Sequence, residues 1–308
     1  MEIVIPLAAT TYVPAPGWWH VLTAWTFAPF VVVPIAAAAG LYLAGARRVG
    51  DLYPRSPWPQ RRVAWFLSGL ALLVLVLNSP IDVYAGIFLW VHMIQHVVLM
   101  TLAPVCLLLG APITLALRAS TPATRRRWLL PILHSRPVKV LTFPVVSWAL
   151  FAAAMVFTHF SPLYEAALQS PWVHVGEHAI YLSTGLLFWW PVVGLDPGAW
   201  RLSFPARLFY VFLAAPVNTF TALAIFSATD VLYPHYLLVA RTWGPSPLTD
   251  QHWGGALMWI AGDLILLGSV TILALAWMRH DQLEAARIDA RLDREEEAAQ
   301  RARAMGGG

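Results

Sequence analysis

The chain has 308 residues, of which 59% are hydrophobic and only 12% charged. A soluble domain carries roughly twice that charge, because it must cover its core with polar surface, so the composition excludes a disordered chain and speaks against an ordinary cytosolic enzyme. The one cysteine, Cys106, lies in an apolar run and excludes an internal disulfide framework or a thiolate metal cluster, and the net charge of +4 matters less than where the charges fall.

In chain order, apolar runs of about the 20 residues needed to cross a bilayer fall at 19–44, 63–77, 84–109, 138–158, 173–193, 204–228 and 253–277. The second is short and must borrow its ends from the interface. The third stops at Gly110-Ala111-Pro112, and the apolar residues that follow read as interfacial. Ser170-Pro171 marks the start of the fifth, with Ser as N-cap and Pro at the first helical position. The beginning of the chain is not expected to be a secretory signal, since Glu2 stands where basic residues belong. The expected fold is an all-α, polytopic membrane helix bundle with seven transmembrane helices over residues 1–278, followed by a charged cytoplasmic tail over 279–308. Seven spans do not divide into two equal halves, which weighs against an inverted-repeat carrier.

Charge sets the orientation. Nineteen of the 20 Lys and Arg residues lie between spans 1 and 2, 3 and 4, and 5 and 6, or in the tail, and only Arg241 is on the other side. Basic residues stay in the cytoplasm, so the N-terminus is expected outside and the C-terminus inside. Lipid is the expected surrounding, and nucleic acid is not an expected partner.

The ten histidines divide differently. His134 and His280 fall on the cytoplasmic side, whereas His20, His92, His96, His159, His174, His178, His235 and His252 fall at or near the outer surface. The positive-inside rule does not demand this, because histidine is largely neutral at pH 7. His92-Met93-Ile94-Gln95-His96 and His174-Val175-Gly176-Glu177-His178 each place two imidazoles at i and i+4, on one helix face. At about 1.5 Å per residue, His92 and His96 stand about 27 and about 21 Å above Gly110. His174 and His178 stand about 30 and about 24 Å above Gly194, so the four share a layer beneath the outer headgroups. His159 ends span 4 at a similar level, and His20 and His252 open spans 1 and 7 slightly higher. Met100 and Met155 lie one turn below His96 and His159. Imidazole suits copper and zinc, and thioether selects Cu(I).

A single interfacial histidine is ordinarily an anchor or a satisfied core residue. Two matched pairs with further histidines at span ends favour a metal site, with His92, His96, His174, His178 and His159 as ligands and His20, His252, Met100 and Met155 as weaker candidates. Glu177 and Gln95 are expected behind the ligands, as hydrogen-bonding groups that fix an imidazole tautomer. In the middle of spans 6 and 7, Asn218 and Asp263 are expected to hydrogen bond between helices rather than to line an ion path. Two other chemistries compete. His174-x-x-Glu177-His178 matches the inverted zinc-protease pattern, with Glu as general base, which would make an integral membrane zinc metallohydrolase. Span 3 carries Gln95 at the matching position, and Gln cannot serve as a base. Opposed histidines could also hold haem iron as a bis-His protein, although two histidines one turn apart on one helix serve a single ion better.

Three runs carry a further signal: His92-Met-Ile-Gln-His96 through Ala103-Pro104 to Gly110-Ala111-Pro112; Thr158-His159-Phe-Ser-Pro-Leu-Tyr164; and His174-Val-Gly-Glu-His178 with Phe188-Trp-Trp-Pro191. Together they resemble the Bacillus-type (caa3-type) cytochrome c oxidase assembly factor family, from span 2 through span 7. The family often has a second proline after the Ala-Pro of span 3, where this chain has Val105. The resemblance implies a seven-span protein of the bacterial cytoplasmic membrane needed to make active haem-copper oxidase. Its expected partners are oxidase subunits and other copper chaperones, its expected cargo is copper, and no haem or enzymatic turnover is expected.

Overall fold

In the computed structural model, which describes residues 15, 17, 19 and 23–306, every regular element is helical. Helix α1 (Pro29–Leu52) and α2 (Gln60–Asn78) come first, and the short α3 (Pro80–Ala85) follows. The third apolar run is built from α4 (Leu89–Val97), a π-helical turn (Val98–Leu102) and α5 (Ala103–Leu109). Ala111 then adopts a left-handed conformation, with φ 49°, and α6 (Pro112–Ala119) departs from that break. The chain continues through short turns to α7 (Pro144–His159), α8 (Pro162–Gln169) and α9 (Pro171–Val193). The fold closes with α10 (Phe204–Phe212), α11 (Ala214–Phe226) and α12 (Pro247–Gly306).

Proline sets many of these boundaries. It occupies the first turn of α1, α3, α6, α7, α8, α9 and α10, where its missing N–H costs nothing and its fixed φ favours the helix. The expected single helix over 138–158 is broken for this reason. Arg136–Leu141 ends before Phe143, which is extended because Pro144 follows it. The expected span over 204–228 is interrupted at Leu213, where Pro216 cannot donate to the carbonyl of Phe212. Ser170 does occupy the N-cap of α9, but its hydroxyl makes no capping bond. Gly194 closes α9 in the left-handed region at φ 60°, and the Arg207 guanidinium fills the space where a side chain would stand.

Five helices are long and apolar enough to cross a membrane: Pro29–Leu52, Gln60–Asn78, Leu89–Ala119, Phe204–Phe226 and Pro247–Glu297. A sixth is reached if Pro144–His159 and Pro162–Gln169, bent by 69° at Phe160-Ser161, count as one. The expectation of seven thus stands at five to six on these terms, because α9 spends part of its 23 residues on His, Glu and Trp. Large apolar side chains on these helices face outward, among them Leu41, Phe157, Phe220, Leu264 and Ile272, as lipid contact requires. Helix α12 is unbroken across residues 278 and 279 and emerges as an exposed charged helix.

Two buried carboxylates anchor helix starts. Asp250 of α12 accepts hydrogen bonds from the backbone N–H groups of Leu89 (3.0 Å) and Trp90 (3.2 Å), and pairs with Arg241 at 2.9 Å. Asp196 likewise accepts from Ile113 (3.2 Å) and Thr114 (2.7 Å) at the start of α6. Each supplies an acceptor to donors that have no partner within the helix, at its positive end. Arg241, the lone basic residue outside the positive-inside pattern, is therefore committed to this cap. Deeper in the bundle, Asn218 and Thr219 donate to the two oxygens of Asp263, at 2.9 and 2.7 Å, so these polar groups join α11 to α12 as expected.

Candidate metal centre

The π turn below His96 begins the site's construction. Pro104 has no N–H, so the carbonyl of Met100, four residues earlier, loses its helical donor. The Ala103 N–H reaches back five residues to Val98, and the indole N–H of Trp189 on α9 donates to the freed Met100 carbonyl at 3.1 Å. Gly185, one turn above Trp189, lets α9 approach closely. A Cβ there would stand 2.7 Å from the Met100 oxygen and 2.8 Å from Pro104 Cγ. This contact clamps α9 against the third apolar run and brings the two histidine pairs face to face.

Three helices deliver the side chains. Helix α4 supplies His92 and His96, α7 ends at His159, and α9 supplies His174, Glu177 and His178. Neighbouring rings lie close, with centroids 4.1 Å apart for His174 and His178, 4.3 Å for His92 and His96, 5.1 Å for His92 and His174, and 5.4 Å for His96 and His159. All six residues are buried except His174, which is half-buried at the outer end of α9. Glu177 Oε2 is 3.9 Å from His92 Nε2 and 3.8 Å from His96 Nε2. That is too long for a hydrogen bond. Two donors held about 2.0–2.1 Å from one ion in tetrahedral or trigonal geometry are about 3.3–3.6 Å apart, so these groups need close in by only a few tenths of an ångström to share one.

Buried polar atoms ordinarily find partners, and here several do not. Both ring nitrogens of His92 and of His96, Nε2 of His159, His174 and His178, and Oε2 of Glu177 are buried without a hydrogen bond. His92, His174 and His178 offer three donor atoms within 4.8 Å of one another, and so do His92, His96 and Glu177. His159 is also oriented for a ligand's role. Its Nδ1 lies 2.7 Å from the Met155 carbonyl, which can only accept, so Nδ1 carries the hydrogen and the Nε2 lone pair is left free. The residues present fit a metal ion that prefers imidazole, as copper and zinc do.

The other expected residues are placed differently. His252 is bound to the Ala228 carbonyl at 3.1 Å, beside Phe226. His20 lies outside the described residues. The side chains of Met100 and Met155 belong to the hydrophobic core. Gln95 was expected to face an imidazole as Glu177 does, but its amide donates to the Val76 carbonyl (2.7 Å) and to Asp82 (3.2 Å). The end of α2 lies beside that face of α4 and claims the amide. Sequence reasoning passed over Tyr181 and gave Tyr164 no role. Tyr164 lies over His92, with ring centroids 5.2 Å apart, and Tyr181 over His96 at 4.3 Å. The Tyr181 hydroxyl bonds to Thr158 and reaches Glu177 Oε1 at 3.5 Å. Its position four residues after Glu177 was the available signal.

Uncharacterized proteins of Mycobacterium bovis and Mycobacterium tuberculosis are each 34% identical over 286 residues, covering 89% of this chain and 42% of theirs. One of Mycobacterium leprae is 32% identical over 281 residues, covering 88% of this chain. The chain thus spans about two fifths of the length of these curated relatives, 42% in each case. No solved structure matches it. The cytochrome c oxidase caa3 assembly factor family matches residues 40–280, a stretch that holds the whole cluster, and the chain belongs to that family.

Proposed function

We propose that this protein is a copper-handling assembly factor for haem-copper cytochrome c oxidase. It would take copper from the outer compartment and pass it to the apo-oxidase within the plane of the bacterial cytoplasmic membrane. The observation that carries this reading is the gathering of unpartnered imidazole nitrogens from α4 and α9 into two overlapping three-donor sets, one of which includes the Glu177 carboxylate. Structural histidines would satisfy one another or the backbone; these leave their lone pairs facing a common space. Imidazole and carboxylate donors without thiolate suit a transfer site, which must release its ion, and membership of an oxidase assembly family favours copper over zinc as that ion. Such a transfer exchanges metal–ligand bonds and makes or breaks no covalent bond of a substrate, so the role is not enzymatic. Oxidase subunits are the receiving partners, and other copper chaperones are the natural donors.

The reading includes the topology. Helices α7 and α9 complete a seven-span bundle with the N-terminus outside and the charged end of α12 in the cytoplasm, which puts the mouth at His174 on the outer side. The test is terminal oxidase activity in membranes of a deletion strain carrying each variant. His92→Ala, His96→Ala, His174→Ala and His178→Ala should each lower activity and bound copper sharply, while His134→Ala and His280→Ala should not. Equal effects from the two sets would end this reading.

A further inference from the structure

The cluster contains two overlapping three-donor sets rather than one, and they differ in depth and charge. His92, His174 and His178 form the outer set, which includes half-buried His174 and carries no acidic group. His92, His96 and Glu177 form the inner set, in which all three residues are buried and one is a carboxylate. His92 belongs to both. Its ring lies 5.1 Å from His174 on one side and 4.3 Å from His96 on the other.

From this geometry we infer that the site is a two-position relay for a single copper ion, which enters at the outer set and settles at the inner one; the inference rests on the copper reading above. The shared His92 links the two positions, and two cations so close together in a buried site repel each other, which favours one ion over two. Moving between them exchanges the outer pair His174 and His178 for the inner pair His96 and Glu177, with His92 available at both positions. The order follows from access and charge. The half-buried imidazole is the first donor that an ion from outside can meet. Neutral imidazoles hold a cation less firmly in a low-dielectric interior than a set that includes a carboxylate, so the ion comes to rest beside Glu177. His159, with its ring centroid 5.4 Å from that of His96, belongs to neither three-donor set. A chaperone gains from this arrangement: rapid capture and firm retention fall to different residues.

The test is a double-mixing experiment on the full-length protein in detergent. Cu(I) is supplied on a weak chelator, the mixture is aged for variable times, and excess strong chelator is then added. In the wild type, copper should leave in a fast and a slow phase, with the slow fraction growing as ageing lengthens and one ion bound at saturation. Glu177→Gln should leave capture unchanged and speed the slow release, because the inner set loses its only anionic donor. His174→Ala should slow capture, and so lower the copper that the protein holds when supply is limiting, but leave the slow release rate as it is once the ion is loaded. His174→Gln, which keeps a polar side chain, should show the same capture defect, and thermal unfolding of the copper-free variants checks their folding. A single release phase at every ageing time would overturn the relay while leaving the copper reading intact, as would two ions bound together or both variants altering the same step. A wild-type protein that takes up no copper would overturn the copper reading itself.

Discussion

Replacing Gly185 by alanine tests whether helix approach sets the geometry of the histidine cluster. The new Cβ would lie 2.7 Å from the Met100 carbonyl oxygen, 2.8 Å from Pro104 Cγ and 3.1 Å from the Leu99 oxygen. These are backbone atoms and a rigid ring, so no flexible side chain can yield. Restoring an ordinary contact of 3.4 Å requires α9 and the third apolar run to part by about 0.7 Å. Overpacking of this kind costs about 1–3 kcal/mol. His178 stands seven residues above, about 10 Å along the helix. Metal sites tolerate donor shifts of about 0.2 Å, so even a third of the displacement reaching that level disturbs the match between α4 and α9. Gly176 provides the control, since a Cβ there meets nothing within 4 Å although Glu177 is next in the chain. Gly185→Ala should lower Cu(I) affinity at least tenfold in a chelator competition titration and lower the thermal midpoint. Gly176→Ala should leave affinity unchanged and stabilise the helix slightly. Wild-type affinity in Gly185→Ala, or an equal loss in Gly176→Ala, would refute the clamp.

Asp250→Ala would strand the Leu89 and Trp90 N–H groups and leave Arg241 without its carboxylate, so unfolding in detergent should become easier by about 3–5 kcal/mol. Asp250→Asn, which keeps an acceptor for the backbone, should cost less. Glu177→Gln should give a partial oxidase defect that added copper relieves. Total, copper-insensitive loss at normal metal content would instead indicate a hydrolase in which Glu177 acts as base. Cysteine labelling after residue 165 should show outer exposure and residues 120–135 should label from the cytoplasm; labelling of both from one side would break the proposed topology.

Much of the cluster was legible because its signal is local. An i,i+4 pair states which side chains share a face, and counting residues from a helix stop states their depth. His92, His96, His174, His178 and His159 needed nothing more, and Glu177 followed from its place between two histidines. What a face touches is not local. Gln95 and Glu177 occupy equivalent places in their runs, yet Glu177 meets imidazoles while Gln95 meets the end of α2. The Asp250 cap joins residues 161 positions apart, and no pattern near Leu89 announces it. Arg241 stood out only as an exception to a charge rule until its partner was seen. The proline in Ala103-Pro104 and the tryptophan in Phe188-Trp-Trp-Pro191 were visible as separate runs, but the hydrogen bond between Trp189 and the Met100 carbonyl appears only when the two helices are packed.

The central claim, that these imidazoles hold copper, is tested most directly by X-ray absorption at the copper edge on the purified full-length protein, with copper content measured on the same sample. The account predicts one copper per chain in a shell of nitrogen and oxygen donors with the multiple-scattering pattern of imidazole, and loss of that pattern in the His92→Ala/His178→Ala double variant. Copper absent from the wild type after loading, a sulfur-dominated shell, or an unchanged spectrum in the double variant would contradict it.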